Sequence, residues 1–260
     1  MVAGIHLVGL DPVEFADAPV AMDLLWDLKH DPFGNRDNCR LQDLRLAVAE
    51  VARFAELGGG TIVETTGLGI GRDLEALREV SERTGVHIVA GTGFYLEGAQ
   101  PEWLAAASKE EIAEMIRLDL AEGEHGIQPG IIGEIGVGQD FASAERKSLA
   151  AACAVQTTSG LSMEVHLPGW FRLGDEVLDF VEQRGVDPRR VILCHMNPSG
   201  SDLAYQKRLM DRGAWVQYGP SSSTPTRACS ARPTRTPPGR SAPWSRTATS
   251  DSCCCRPTSS

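Results

Sequence analysis

The sequence predicts an α/β fold, a (β/α)8 TIM barrel that is incomplete because its first and eighth strands are missing or aberrant. Between residues 41 and 219, helix-period and strand-period segments alternate with short turns, the pattern of βαβ units and a parallel sheet. Six strand-like runs recur roughly every 25–45 residues, a spacing that fits barrel units better than a solenoid repeat. Three of these runs end in Glu134, His166 and His195, and in parallel barrels the chemistry sits at strand carboxyl ends. Periodicity does not separate a closed parallel sheet from an open, doubly wound one.

Taken in order, the first helix spans residues 41–57. Leu44, Val48, Val51 and Ala55 recur at three- and four-residue spacing, and Gly58, Gly59 and Gly60 stop it. A strand follows over 61–65, then a helix over 72–83 and a strand over 86–90. A long loop runs through Pro101 to a helix over 109–122. The cycle continues with a strand over 130–135, a helix over 143–157, a strand over 161–166, a helix over 175–184 and a strand over 190–195. A helix over 202–212 and a strand over 214–218 complete it, with Gly, Pro or Asp marking the boundaries.

Composition narrows the class of function. A chain of 260 residues, 42% hydrophobic, holds one large barrel domain, assigned to residues 1–219. Its formal net charge of −10 disfavours nucleic acid and anionic membrane surfaces, which reward clustered Lys and Arg, and leaves small-molecule chemistry. No apolar run approaches the roughly 20 residues needed to cross a bilayer, and the first ten residues lack a secretory signal pattern; the expected location is cytoplasmic. Cys39, Cys153 and Cys194 lie singly in apolar segments and read as core thiols.

Residues 220–260 break the pattern. They contain no Leu, Ile, Val, Phe, Tyr or Met, so the tail is expected to be disordered, with Cys229 and Cys253, Cys254 and Cys255 belonging to it. A shifted reading frame accounts for this composition: regrouping GC-rich codons by one base can give an amphipathic helix, then a buried strand ending in an acid. On that reading the cysteine run is a shadow of leucine codons, not a metal site.

Taken singly, a strand-end histidine is more often a hydrogen-bonded rim residue than a ligand. A carboxylate and two imidazoles from three successive strand ends converge on one rim, however, and that set suits Zn²⁺ or a similar divalent ion. Such an ion polarises a scissile bond and lowers the pKa of water to about 7.

Four stretches, Ile70-Gly71-Arg72-Asp73, residues 86–95 ending in Gly93-Phe94-Tyr95, Gly130-Ile131-Ile132-Gly133-Glu134-Ile135-Gly136, and Cys194-His195-Met196-Asn197-Pro198-Ser199-Gly200, occur in a characteristic order. They resemble the phosphotriesterase family of the amidohydrolase superfamily, in its phosphotriesterase-homology and lactonase-like branch, over roughly residues 41–219. The resemblance implies a binuclear metal centre, Zn²⁺ or another divalent ion, hydrolysing phosphotriesters, lactones or related small-molecule esters. It implies Glu134 as bridging ligand, His166 and His195 as further ligands, Tyr95 as a substrate-pocket aromatic, and a possible homodimer. The family's first-strand His-x-His pair has no match, since His6 and His30 each stand alone, and its eighth-strand catalytic Asp has none after Gly219. No catalytic base is therefore identified, and three of six expected ligands are absent. Missing strands also predict two open sheet edges and association with other chains. The alternative is an inactive truncated barrel with no enzymatic function.

Other residues carry weaker readings. Gly67-Leu68-Gly69-Ile70-Gly71 lies between a strand and a helix like a phosphate-cradling loop, but its spacing is wrong for a dinucleotide fingerprint, and the next strand lacks the ribose-binding acid. Arg72 and Asp73 read as helix capping. His87 reads as a core histidine and His125 as a surface or capping residue. Glu164 shares the side of its strand with His166, which makes a supporting role possible but weaker than packing or solvent contact.

Overall fold

The computed structural model describes residues 12–31, 34–40, 42–219 and 253–255. The described residues divide into two compact units, one up to residue 44 and the other from residue 45 to 219 with 253–255. In the first, helices α1 (Pro12–Asp17) and α2 (Leu25–His30) are short elements that periodicity does not reveal. Asn35 is fully buried there and donates from Nδ2 to the carbonyls of Phe15 and Ala18 at 2.6 and 2.8 Å. Cys39 is exposed, against the expectation of a core thiol. His6 and Cys229 lie outside the described residues, as does most of the tail.

The second unit begins with α3 (Leu44–Glu56) and β1 (Thr61–Glu64), and continues through α4 (Leu74–Thr84), β2 (His87–Thr92), α5 (Glu102–Ala106), α6 (Lys109–Glu122) and β3 (Ile131–Gly136). Next come α7 (Ser143–Ser159), β4 (Met163–His166), α8 (Gly174–Glu182), β5 (Val191–Leu193), α9 (Leu203–Asp211) and β6 (Trp215–Tyr218). Strands β1 to β6 pair in sequence order and all in parallel, giving six consecutive strands of a curled, incomplete barrel with helices between them. The tail supplies β7 (Cys253–Cys255), which pairs antiparallel with β6. This three-residue strand lies outside β6 and is the second edge of the sheet, opposite β1. Among the described residues β1 and β7 each have one strand partner, β2 and β6, so the sheet keeps two edges.

The core lies between the middle strands and their helices. Ile132, Ile135, Met163, Val165, Val191 and Leu193 from the sheet pack with Ile112, Ile116, Leu149, Val177, Leu178 and Leu209 from the helices. Helix α6 matches its expected bounds because its ends are chemically marked: Ser108 Oγ accepts from the Glu111 amide, Glu111 Oε2 accepts from the Ser108 amide, and Gly123 ends it. Helix α3 keeps its apolar stripe, but none of its residues is buried.

Curling brings alternate strands into contact at the carboxyl rim. The Glu134 amide donates to the Thr65 carbonyl at 2.8 Å, past the intervening β2. Gly91 permits it, since a Cβ there would sit 2.2 Å from the Gly133 carbonyl oxygen and 2.8 Å from Thr65 Cα.

Candidate metal centre

Glu134 stands where the β3–β4 register shifts, between the pairs Ile132↔Met163 and Ile135↔Val165. An irregularity of that kind re-aims side chains. The preceding Gly133 has φ +125°, and a Cβ on it would meet the Glu164 carbonyl oxygen at 2.3 Å, so the sequence needs glycine there. His166 is the last residue of β4. His195, expected as a strand end, lies two residues beyond β5 with φ +58°, in the left-handed region that side chains other than glycine rarely adopt.

The structure brings all three together. Glu134 Oε1 lies 3.2 Å from His166 Nδ1 and 2.9 Å from His195 Nε2, and the two imidazole centroids are 4.5 Å apart. One donor atom from each residue falls within 4.8 Å of the others. Donors around one tetrahedral Zn²⁺, at roughly 2.0–2.1 Å from the ion, stand about 3.4 Å from one another. The carboxylate–bis-imidazole set therefore fits a divalent ion in both chemistry and spacing. Tyr95 joins the same cluster, its hydroxyl 3.0 Å from His166 Nδ1 and its ring edge-on to that imidazole at 4.8 Å.

Electrostatics follow from this packing. Burial pushes the Glu134 carboxyl up, but hydrogen bonds to His166 and His195 and their charges outweigh it and hold the carboxyl down at about 2. The hydrogen bond to Glu134 raises His195, against the opposing effect of burial. Burial, then the Glu134 charge, lifts the Tyr95 phenol well above its ordinary value, so it stays protonated at neutral pH.

Glu164 is 5% exposed, which excludes a solvent role, and its Oε1 accepts from Cys194 Sγ at 3.0 Å. Cys153 and Cys194 are buried as expected. His87, read as a core histidine, is exposed at the start of β2, and His125 is exposed in the turn after α6. Asp73 caps α4, accepting from the Ala76 amide at 2.9 Å. Arg72 does not cap: it is buried and paired in bidentate fashion with Asp119 at 2.6 and 2.7 Å. The glycines after β1 serve packing, since the Leu68 amide donates to the Gly93 carbonyl at 2.8 Å and a Cβ on Gly67 would meet that oxygen at 2.4 Å. Gln206 was not singled out by the sequence reading, and it is buried beside the His195 loop, where its Nε2 donates to the Met196 carbonyl at 2.8 Å. Its only sequence signal is an amide on the inner face of a helix.

Fold and site together define a partial parallel α/β barrel with a carboxylate–imidazole cluster at the carboxyl ends of its strands. The phosphotriesterase family model matches residues 14–224, and the chain belongs to that family. It is 30% identical over 209 residues to an N-acetyltaurine hydrolase of Xenopus tropicalis, covering 78% of this chain and 59% of that protein. To a phosphotriesterase-related protein of Nematostella vectensis it is 32% identical over 203 residues, covering 76% and 58%. Among solved structures, a resiniferatoxin-binding protein from Rhodobacter sphaeroides superposes with TM-score 0.73 and 48% identity, covering 78% of this chain and 57% of the other. The phosphotriesterase homology protein from Escherichia coli, complexed with phosphate in its active site, gives TM-score 0.66 and 28% identity, covering 74% and 65%. The chain thus spans just under three-fifths of the length of these curated relatives, 58% and 59%.

Proposed function

We propose that this chain carries the metal-binding half-site of a hydrolase that cleaves an ester or related acyl or phosphoryl bond in a small molecule. The observation that carries the proposal is the convergence of Glu134, His166 and His195 from three consecutive strands, within 4.8 Å. A phosphotriester or lactone is the substrate class the sequence resemblance favours; the N-acetyltaurine hydrolases among the relatives add an amide as a candidate. Zn²⁺ is the proposed ion.

A divalent ion held there would supply Lewis acidity and make hydroxide available near neutral pH. The chain's own residues set the rest. Glu134, ionised over the whole physiological range, contributes the negative charge that draws a cation between the imidazoles. His166 and His195 contribute imidazole nitrogen donors. Tyr95 keeps its proton and is placed to donate a hydrogen bond to a substrate oxygen beside His166.

The test is metal content after dialysis, for the chain and for Glu134→Gln and His195→Asn, together with turnover of lactone, phosphotriester and N-acyl substrates. The proposal expects about one bound ion in the parent, lost in both variants, and turnover that follows metal content. An ion-free parent without turnover supports the second reading, an inactive partial barrel.

A further inference from the structure

We propose that Glu164 and Gln206 are positioning residues that clamp His195 from opposite sides and hold its imidazole against Glu134; the proposal rests on reading the cluster as a metal centre. His195 has φ +58° without being glycine, a conformation that persists only where its surroundings over-determine it. The surroundings do so on both flanks. On the β4 side, the Cys194 amide donates to the Val165 carbonyl at 3.0 Å, and Cys194 Sγ donates to Glu164 Oε1 at 3.0 Å. On the β6 side, the Met196 amide donates to the Gln217 carbonyl at 3.0 Å.

The Met196 carbonyl then accepts from Gln206 Nε2 and from Ser199 Oγ, each at 2.8 Å. Gln206 is itself fixed, donating to Ser199 Oγ at 2.8 Å and accepting from the Tyr218 hydroxyl. A buried polar side chain therefore holds the residue on each side of His195: Glu164 on β4, 5% exposed, holds Cys194, and Gln206 on α9, 1% exposed, holds Met196. Packing alone would be served by apolar residues at both places, because a buried carboxyl or amide is costly unless its hydrogen bonds are needed.

The test compares Glu164→Leu, Glu164→Gln and Gln206→Leu with the parent. Two readouts are taken: Co²⁺ affinity from visible absorption, and imidazole ¹⁵N–¹H signals of the metal-free protein. Leucine at either position is expected to weaken Co²⁺ roughly 10–100-fold and to move the His195 ring signals while those of exposed His125 stay fixed. Glu164→Gln keeps an acceptor for the thiol and is expected to stay within about threefold of the parent. Parent-like affinity together with unmoved His195 signals in both leucine variants would overturn the clamp. Should the parent take up no Co²⁺, the metal reading fails and the His195 signals alone decide: movement supports the clamp, and no movement overturns it. If Glu164→Leu does not fold, Cys194→Ala removes the same hydrogen bond and is judged by the same outcomes.

Discussion

Between Glu134 and His195 a shared proton sets how the metal-free site responds to pH. The Glu134 carboxyl falls from an ordinary 4.5 to about 2, against burial and through its two histidine partners, so its contribution to stability is present above 4.5 and is lost as pH falls towards 2. His195 is raised above its ordinary 6.5, chiefly by its hydrogen bond to Glu134, so its contribution is complete below 6.5 and is lost as pH rises through the folded value. The part of the Glu134 shift that comes from His195 and the rise of His195 describe one ion pair and count once. The pair supports the fold most between about pH 4.5 and 6.5. A metal needs the opposite state, because neutral imidazole is the ligand. Zn²⁺ should therefore raise the Tm more at about pH 8 than at about pH 6, while the metal-free protein loses part of this support over the same interval. Thermal denaturation with and without the ion checks it; an equal Zn²⁺ shift at both pH values would remove His195 as a ligand.

At the scale of elements, the buried Arg72 ties the turn before α4 to α6. Its guanidinium pairs with Asp119 in two bonds, donates to the Gly91 carbonyl at 3.0 Å and reaches Glu124 at 2.8 Å. Thr92 Oγ1 donates to the same Asp119 carboxylate. Arg72→Ala strands that carboxylate, whose side chain is 8% exposed, and should cost about 3–5 kcal/mol, seen as a large fall in urea midpoint. Restoration by a second change, Asp119→Leu, would show that the loss came from the unpaired charge; no recovery would place it in lost packing instead. Nothing in the sequence announced this pair, because its partners lie 47 residues apart and Arg72 next to Asp73 looks like part of a helix start. Elements with local signals were legible: α6 keeps the bounds expected for it, and the alternation of apolar runs gives all six parallel strands. Strand ends were less so, since the run reaching His195 stops pairing at Leu193 when the backbone turns left-handed. Glu134, His166 and His195 were readable as strand-end polar residues. Gln206 and the thiol of Cys194 were not, because their roles exist only once α9, β4 and the His195 loop are packed together.

For the whole molecule, the open flank of the sheet governs behaviour in solution. Strand β1 has no described strand partner on its outer side, its residues alternate between exposed and half-buried, and Val63 is 50% exposed in the middle of it. Helix α3, next to it in sequence, has no buried residue, and Leu46 and Leu57 are 59% and 74% exposed. An unpaired strand presents amide and carbonyl groups to any second strand, and an apolar side chain beside them adds surface to bury, so association between chains is the expected result. The opposite edge is β7, only three residues long, so it offers a shorter template. The chain should therefore sediment as a concentration-dependent mixture of monomer and larger species. Val63→Lys, which places a charge on the open edge without touching the Glu134–His166–His195 cluster, should shift that mixture towards monomer. Lys in place of Cys254 is the contrasting variant, and it should leave the distribution closer to that of the parent. A parent that stays monomeric at high concentration, or a Val63→Lys chain that associates as the parent does, would mean that the β1 edge is not where chains meet.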